Sequence, residues 1–289
     1  MQAPDKFGLA LRIGLFAFLE IIALSLFYPL LGWTGTLVAA AFTPFIAASL
    51  TNAFTLRIFE RRKLGDIGLR WSKASQRNLL TGFVAGVATA ILVMAPPFLI
   101  GWAKLEPATE KPTHFLPSLL FVTIVIFIGA IGEEILFRGY GFQILARAAG
   151  PFTTLLPVAV LFALGHSGNL GVNKIGLFNT FLWGAVLGWC VFRSGDLWLA
   201  SGLHFGWNWA LPLLGVELSG FKMGVTGYQT VWNAPAIWSG GGYGPEGSLL
   251  TTLALPLLVW ALWKAPIQTQ RLPLIQEDEE TADETHAAG

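Results

Sequence analysis

The stretch FLPSLLFVTIVIFIGAIGEEILFRGY, residues 115–140, decides the fold. From Phe115 to Gly132 it carries no formal charge, so the helix it predicts reaches two adjacent carboxylates after about 17 residues, near the depth where an ionised side chain costs at least ~2.5 kcal/mol. Glu134 and Arg138 are four apart with the acid on the N-terminal side, the orientation in which such a pair attracts best. Glu133 lies about 100° further round the helix, so one carboxylate is neutralised by Arg138 while the other is left to face a cavity. A buried structural ion pair accounts for one Glu and one Arg. It leaves Glu133 without an equally good partner on the same helix, and Glu133 is therefore read as functional.

Composition agrees with a membrane setting. Of 289 residues 54% are hydrophobic and 12% charged, with mean hydropathy +0.62, whereas a soluble domain carries about 25% charged residues. A net charge of +1 without a basic stripe excludes a nucleic-acid partner. The single cysteine, Cys190, sits in an apolar run and reads as a small buried hydrophobe, so neither a disulfide framework nor a thiolate metal cluster is expected. The first apolar run follows Lys6 and Arg12 and continues to Leu31 without a cleavage site, so it is kept as a span and not as a signal peptide.

Apolar segments occur at about 8–32, 35–58, 79–103, 117–140, 153–167, 175–193, 197–215 and 249–264. With an inner N-terminus, 14 of the 18 Lys and Arg residues fall on the inner face and 4 (Lys104, Lys111, Lys174 and Lys222) on the outer, a strong positive-inside bias. The fold class expected is an all-α polytopic membrane helical bundle of about eight transmembrane helices with cytoplasmic N- and C-termini. It forms one domain over 1–271, followed by an acidic tail, 272–289, expected to be disordered.

The basic loop 60–78 reads as cytoplasmic with Trp71 at the interface, and the Gly, Trp and Pro-rich segment 215–248 as an outer loop. Gly82/Gly86, Gly184/Gly188 and Gly202/Gly206 read as small-residue pairs for close helix packing. Glu20, in the first span, has no partner near it in sequence and is expected to be neutral and hydrogen-bonded.

Two of the four histidines fall in membrane segments. His166 follows Phe162 by four residues, and His204 precedes Asn208 by four, which places imidazole and carboxamide on one helical face. A lone membrane histidine is most often a helix-to-helix hydrogen bond. Two of them with an aligned asparagine and a spare carboxylate are the parts for activating a water, directly or through a divalent metal, and for stabilising an oxyanion.

Taken together, Glu133-Glu134-x-x-x-Arg138, Phe162-x-x-x-His166 and His204-x-x-x-Asn208, in this order within a multispan chain, resemble the CPBP family of intramembrane proteases, also called the Abi or CAAX-protease-like family. The resemblance covers about 115–215, and no motif position departs from the pattern. It implies peptide-bond hydrolysis with Glu133 and His166 activating the water. It also implies that His204 and Asn208 line the same site as oxyanion donors or metal ligands, and that Glu134 and Arg138 form the supporting pair. A zinc ion held by Glu133, His166 and His204 is the cofactor it allows. The implied partners are the lipid bilayer and a membrane-associated or lipidated peptide. No HExxH is present, which excludes a zincin-type site.

Two other readings stand beside this one. Gly165-His166-Ser167-Gly168 fits the GxSG string of rhomboid serine proteases, with His204 as base, but leaves Glu133 unexplained. A transporter or bacteriocin-immunity-like scaffold would use Glu133, His166 and His204 as a proton or ion site.

Overall fold

The computed structural model describes residues 6–109, 112 and 114–275. Lys111, His286 and the acidic run from Glu277 to Glu284 lie outside the described residues. In chain order the helices are α1 (Lys6–Leu31), α2 (Thr36–Thr55), α3 (Lys73–Leu99), α4 (Phe115–Arg138), α5 (Tyr140–Ala149), α6 (Pro151–Gly165), α7 (Lys174–Ser194), α8 (Trp198–Leu213), α9 (Ala236–Ser239) and α10 (Leu249–Lys264). Side-chain caps start three of them: Ser72 accepts from the Ser75 amide, Asn173 from Gly176 and Ser248 from Thr251, each satisfying an otherwise unpaired first-turn donor.

This is a helical membrane bundle, and every apolar segment seen in the sequence is a helix. Five stretches are long and apolar enough to cross a bilayer: Lys6–Thr34, Thr36–Glu60, Lys73–Leu99, Phe115–Ala149 and Lys174–Ser194. Helices α6, α8 and α10 have 15, 16 and 16 residues, or about 24 Å at 1.5 Å per residue, short of a ~30 Å hydrocarbon core.

Three features depart from the sequence reading. First, a further helix, α5, follows the fourth segment where no apolar segment was expected. Asn52 of α2 accepts from the Tyr140 amide at 2.6 Å and donates to the Ile135 carbonyl at 3.4 Å, which ends α4 at Arg138 and lets α5 leave in a new direction. Second, the chain is not wholly helical: β1 (Ala103–Pro107) pairs antiparallel with β2 (Tyr228–Trp232), Ala103 opposite Trp232, so the 215–248 segment is tied down and not a free loop. Third, the residues just past Arg271 are packed. Leu272 and Leu274 are buried in the core, and the strap before them is held because Asn78 donates to the Gln268 carbonyl and accepts the Gln268 amide.

Helices α3 and α8 approach until their backbones touch. A Cβ on Gly82 would stand 2.2 Å from the Leu199 carbonyl oxygen, on Gly86 2.3 Å from that of Leu203, and on Gly206 2.3 Å from that of Phe83. The expected close-packing role is therefore realised by Gly82/Gly86 against Gly202/Gly206. Helix α4 lies as tightly on α2, since a Cβ on Gly132 would come within 2.6 Å of the Phe45 amide nitrogen. Glu20 is buried and accepts the Thr51 hydroxyl of α2, so its partner lies across helices.

In the π-helical turn Leu56–Glu60 that continues α2, Glu60 gathers Arg12 at 2.7 Å, Arg147 at 3.3 Å and the Tyr140 hydroxyl at 3.2 Å. In the turn that follows, burial alone would raise the Asp66 carboxyl, but the Lys63 amide and the Arg70 guanidinium outweigh it and hold it below its usual range.

Candidate active site

The last two turns of α4, the C-terminal end of α6 and the middle of α8 meet on one cavity of about 780 Å³ lined by Glu133, His166, His204 and Asn208. Helices α4 and α8 are joined by a side-chain bond, in which the Trp209 indole N–H donates to the Thr123 hydroxyl at 2.9 Å. Helix α6 stops at Gly165 and leaves His166 at its C-cap, with the ring at the helix end and not along its side.

Glu134 and Arg138 are fully buried and 3.3 Å apart, Oε1 to Nη1. Arg138 also donates to the Gly184 carbonyl of α7 at 2.9 Å and lies 4.6 Å over the Phe162 ring. The same Glu134 Oε1 receives Nδ1 of His204 at 2.9 Å, so one oxygen supports both an arginine on its own helix and a histidine 70 residues away in sequence. Burying an ion pair is costly unless its remaining hydrogen-bonding groups find partners; here α7 supplies the Gly184 carbonyl and α8 supplies His204, while Glu134 Oε2 and Arg138 Nε have no partner among the described residues.

Glu133 points the other way. Its side chain is 27% exposed to the cavity, and its Oε2 has no hydrogen-bond partner among the described residues. Nε2 of His166 stands 3.7 Å from that oxygen and Nε2 of His204 3.9 Å. The bonds on the far side of each ring set the tautomers. His166 Nδ1 is 2.8 Å from the Phe162 carbonyl and must donate, so its neutral ring turns a bare Nε2 toward Glu133; His204 Nδ1 donates to Glu134, so its Nε2 is bare when the ring is neutral and carries N–H when it is an imidazolium. The separations are too long for direct hydrogen bonds and short enough for one water to bridge. Phe162 fills the space behind, its centroid 4.6 Å from the His166 ring and 6.1 Å from the His204 ring.

The two separations, 3.7 and 3.9 Å, can be set against the spacing a metal would impose. Tetrahedral zinc with ~2.0–2.1 Å bonds spaces neighbouring ligand atoms by about 3.4 Å. Among the described residues no group of three or more His, Cys, Asp or Glu is arranged to hold a metal ion.

Ser167 has no place in the cavity wall. It is exposed at the helix end and donates its hydroxyl to the Leu164 carbonyl at 2.7 Å.

One acid at this site was not singled out from the sequence. Glu246, in the glycine-rich string at 240–247, also lines the cavity. It accepts the Trp207 indole N–H at 3.3 Å and both the amide and hydroxyl of Ser219. Burial pushes its carboxyl up, against the pull of those Ser219 bonds. The only signal for it was a lone carboxylate in an otherwise uncharged, turn-rich segment.

Compared with known proteins, the chain finds no match among curated sequences. A family model does match: residues 115–210, from the first residue of α4 to two past Asn208, fit the Rce1-like family, described as type II CAAX prenyl endopeptidase Rce1-like, which is the resemblance that the three motifs carry.

Proposed function

We propose that this protein is an intramembrane endopeptidase that hydrolyses a peptide bond with a water activated by Glu133 and His166. The observation that carries the reading is the unpartnered Glu133 Oε2 facing two imidazole Nε2 atoms at 3.7 and 3.9 Å inside a membrane bundle. The family match over 115–210 supports the reaction class.

In this reading the water between Glu133 and His166 gives up a proton to the carboxylate as its oxygen bonds to the substrate carbonyl carbon. His166 orients the water through Nε2, because its Nδ1–H is committed to Phe162. The carbonyl π pair moves onto oxygen, and the Asn208 amide with a protonated His204 donates to that oxyanion. Glu134 supports the imidazolium form of His204, as a carboxylate does behind a histidine in other sites. The oxyanion's pair then re-forms the carbonyl as the C–N bond breaks, and that bond's electron pair goes to nitrogen, which takes the water-derived proton from Glu133. Zinc on Glu133, His166 and His204 would require those groups to close by only a few tenths of an ångström and would supply a Lewis acid to the same water.

The proposed substrate is a membrane-associated or lipidated peptide. The cavity that holds Glu133 continues along Leu24, Tyr28, Leu37, Ala40 and Pro44 of α1 and α2, giving an apolar arm for a lipid chain beside a polar end for the scissile bond. The proposed topology has eight crossings with both termini cytoplasmic, supported by the 14 to 4 partition of basic residues. Mass spectrometry of a lipidated-cysteine peptide incubated with the protein in proteoliposomes tests the reading, with metal analysis of the same preparation. Cleavage with no bound zinc supports it. An intact peptide beside pH-dependent ion flux would instead make the cavity a transport site.

A further inference from the structure

The outer end of the cavity is closed by backbone laid on backbone. The loop that follows His166 runs from 167 to 173, and two remote segments hold it. Gly171, at φ +70°, approaches so closely that a Cβ would lie 2.5 Å from the Gly242 carbonyl carbon. Gly220, at φ +84°, would place its Cβ 2.1 Å from the Leu170 carbonyl oxygen. Asn173 donates to the carbonyls of Gly240 at 3.1 Å and Gly247 at 3.3 Å, and the Gly220 amide donates to the Tyr243 carbonyl at 3.1 Å. Three glycines of the 240–247 string are explained by contact in the same way: a Cβ would stand 1.7 Å from the Gly244 carbonyl oxygen on Gly240, 2.2 Å from the Glu217 carbonyl oxygen on Gly244 and 2.6 Å from Asn173 Nδ2 on Gly247.

The Glu246 side chain ties the glycine-rich part of this cap to α8. Glu246 takes the Trp207 indole N–H on one oxygen and the two Ser219 donors on the other. Trp207 sits between His204 and Asn208 on the same face-bearing turn of α8. A carboxylate suits the position because it offers an acceptor on each oxygen, whereas an amide would turn an N–H₂ toward one of these donors. Those donors are neutral, so the bonds serve placement and not charge neutralisation.

We propose that Glu246 is a positioning residue that latches the outer cap to α8 and thereby holds His166, through the loop after it, against Glu133 and His204. This deepens the reading of the site as hydrolytic and rests on it for turnover, while the latch itself is testable without any cleavage.

The experiment compares wild type, Glu246→Ala, Glu246→Gln and Ser219→Ala in detergent micelles by hydrogen exchange and by turnover on the lipidated peptide. Amides in 167–173 should exchange at least ~10-fold faster in Glu246→Ala while those of α3 keep their wild-type rates. Turnover should fall about 10- to 100-fold, the usual effect of losing a group that orients a reacting side chain, with KM within about twofold of wild type. Glu246→Gln should recover part of both, because its carbonyl still serves Ser219 and only the Trp207 bond is lost. Should Glu246→Ala fail to fold, Ser219→Ala carries the test with a smaller rise at the same amides. Exchange that rises evenly through the bundle, or not at all at 167–173, would overturn the latch. A local rise in a protein that cleaves nothing would keep the latch and remove the hydrolytic reading, and unchanged exchange beside normal turnover would do the reverse.

Discussion

Nδ1 of His204 lies 2.9 Å from Oε1 of Glu134, the oxygen that also faces Arg138. The second glutamate of the pair is thus a hinge between two helices: it fixes which nitrogen of His204 carries hydrogen and so which nitrogen faces the cavity. Replacing Glu134 with Gln keeps an acceptor for both neighbours but removes the charge that supports an imidazolium. Turnover should fall about 10- to 100-fold with the fold retained, read as kcat beside the melting temperature.

Arg138→Ala should destabilise far more than Arg138→Lys. The arginine is fully buried against Glu134 and also holds the Gly184 carbonyl, so truncation strands a buried carboxylate at a cost of about 3–5 kcal/mol. Lysine keeps the charge and loses the fork. Thermal unfolding in detergent checks the order of the two variants; a fully stable and active Arg138→Ala would contradict the pairing.

Gly206→Val should damage both stability and catalysis. A Cβ there meets the Phe83 carbonyl at 2.3 Å, and α8 carries His204 and Asn208, so separating α3 from α8 moves half of the site. Overpacking of this kind costs roughly 1–3 kcal/mol. Unfolding midpoints of Gly206→Val and, as a control at an open position, Gly14→Val measure the difference, since nothing lies within 4 Å of a Cβ on Gly14.

Asp66 gives a pH test outside the bundle. Its folded carboxyl titrates below the usual value of 3.8, so the unfolded chain binds the proton more readily and the folded state gains stability above that value. The gain is lost as pH falls through the folded value. The stability gap between wild type and Asp66→Asn should therefore be full at neutral pH and should close on acidification below about 3.8. A gap that widened in acid would contradict the Arg70 and Lys63 contacts.

What the sequence disclosed was what is local. Glu134 and Arg138 are one turn apart, as are His204 and Asn208, so helical spacing alone relates them. The apolar runs located every long helix for the same reason. The link from His204 to Glu134 spans 70 residues and depends on how α8 crosses α4, which spacing cannot express. Helix α5 lay outside the apolar runs, and its start is set from another helix, where Asn52 captures the Tyr140 amide. The strand 103–107 was hidden because Lys104, Glu106 and Pro107 make a poor strand and only its pairing with 228–232 orders it. Glu246 gave no motif, since its partners come from a tryptophan and a serine in two other segments.

The central claim is tested most directly by turnover of Glu133→Gln on a cleavable lipidated peptide in proteoliposomes, with Ser167→Ala measured alongside. The amide keeps the shape of Glu133 but cannot take the proton of a water, so hydrolysis should be abolished while the melting temperature is unchanged. Ser167→Ala should cleave at close to the wild-type rate. His204→Ala and Asn208→Ala should lose on the order of 10²–10³ in rate as oxyanion donors. Normal cleavage by Glu133→Gln together with a dead Ser167→Ala would contradict the account and put the serine in its place.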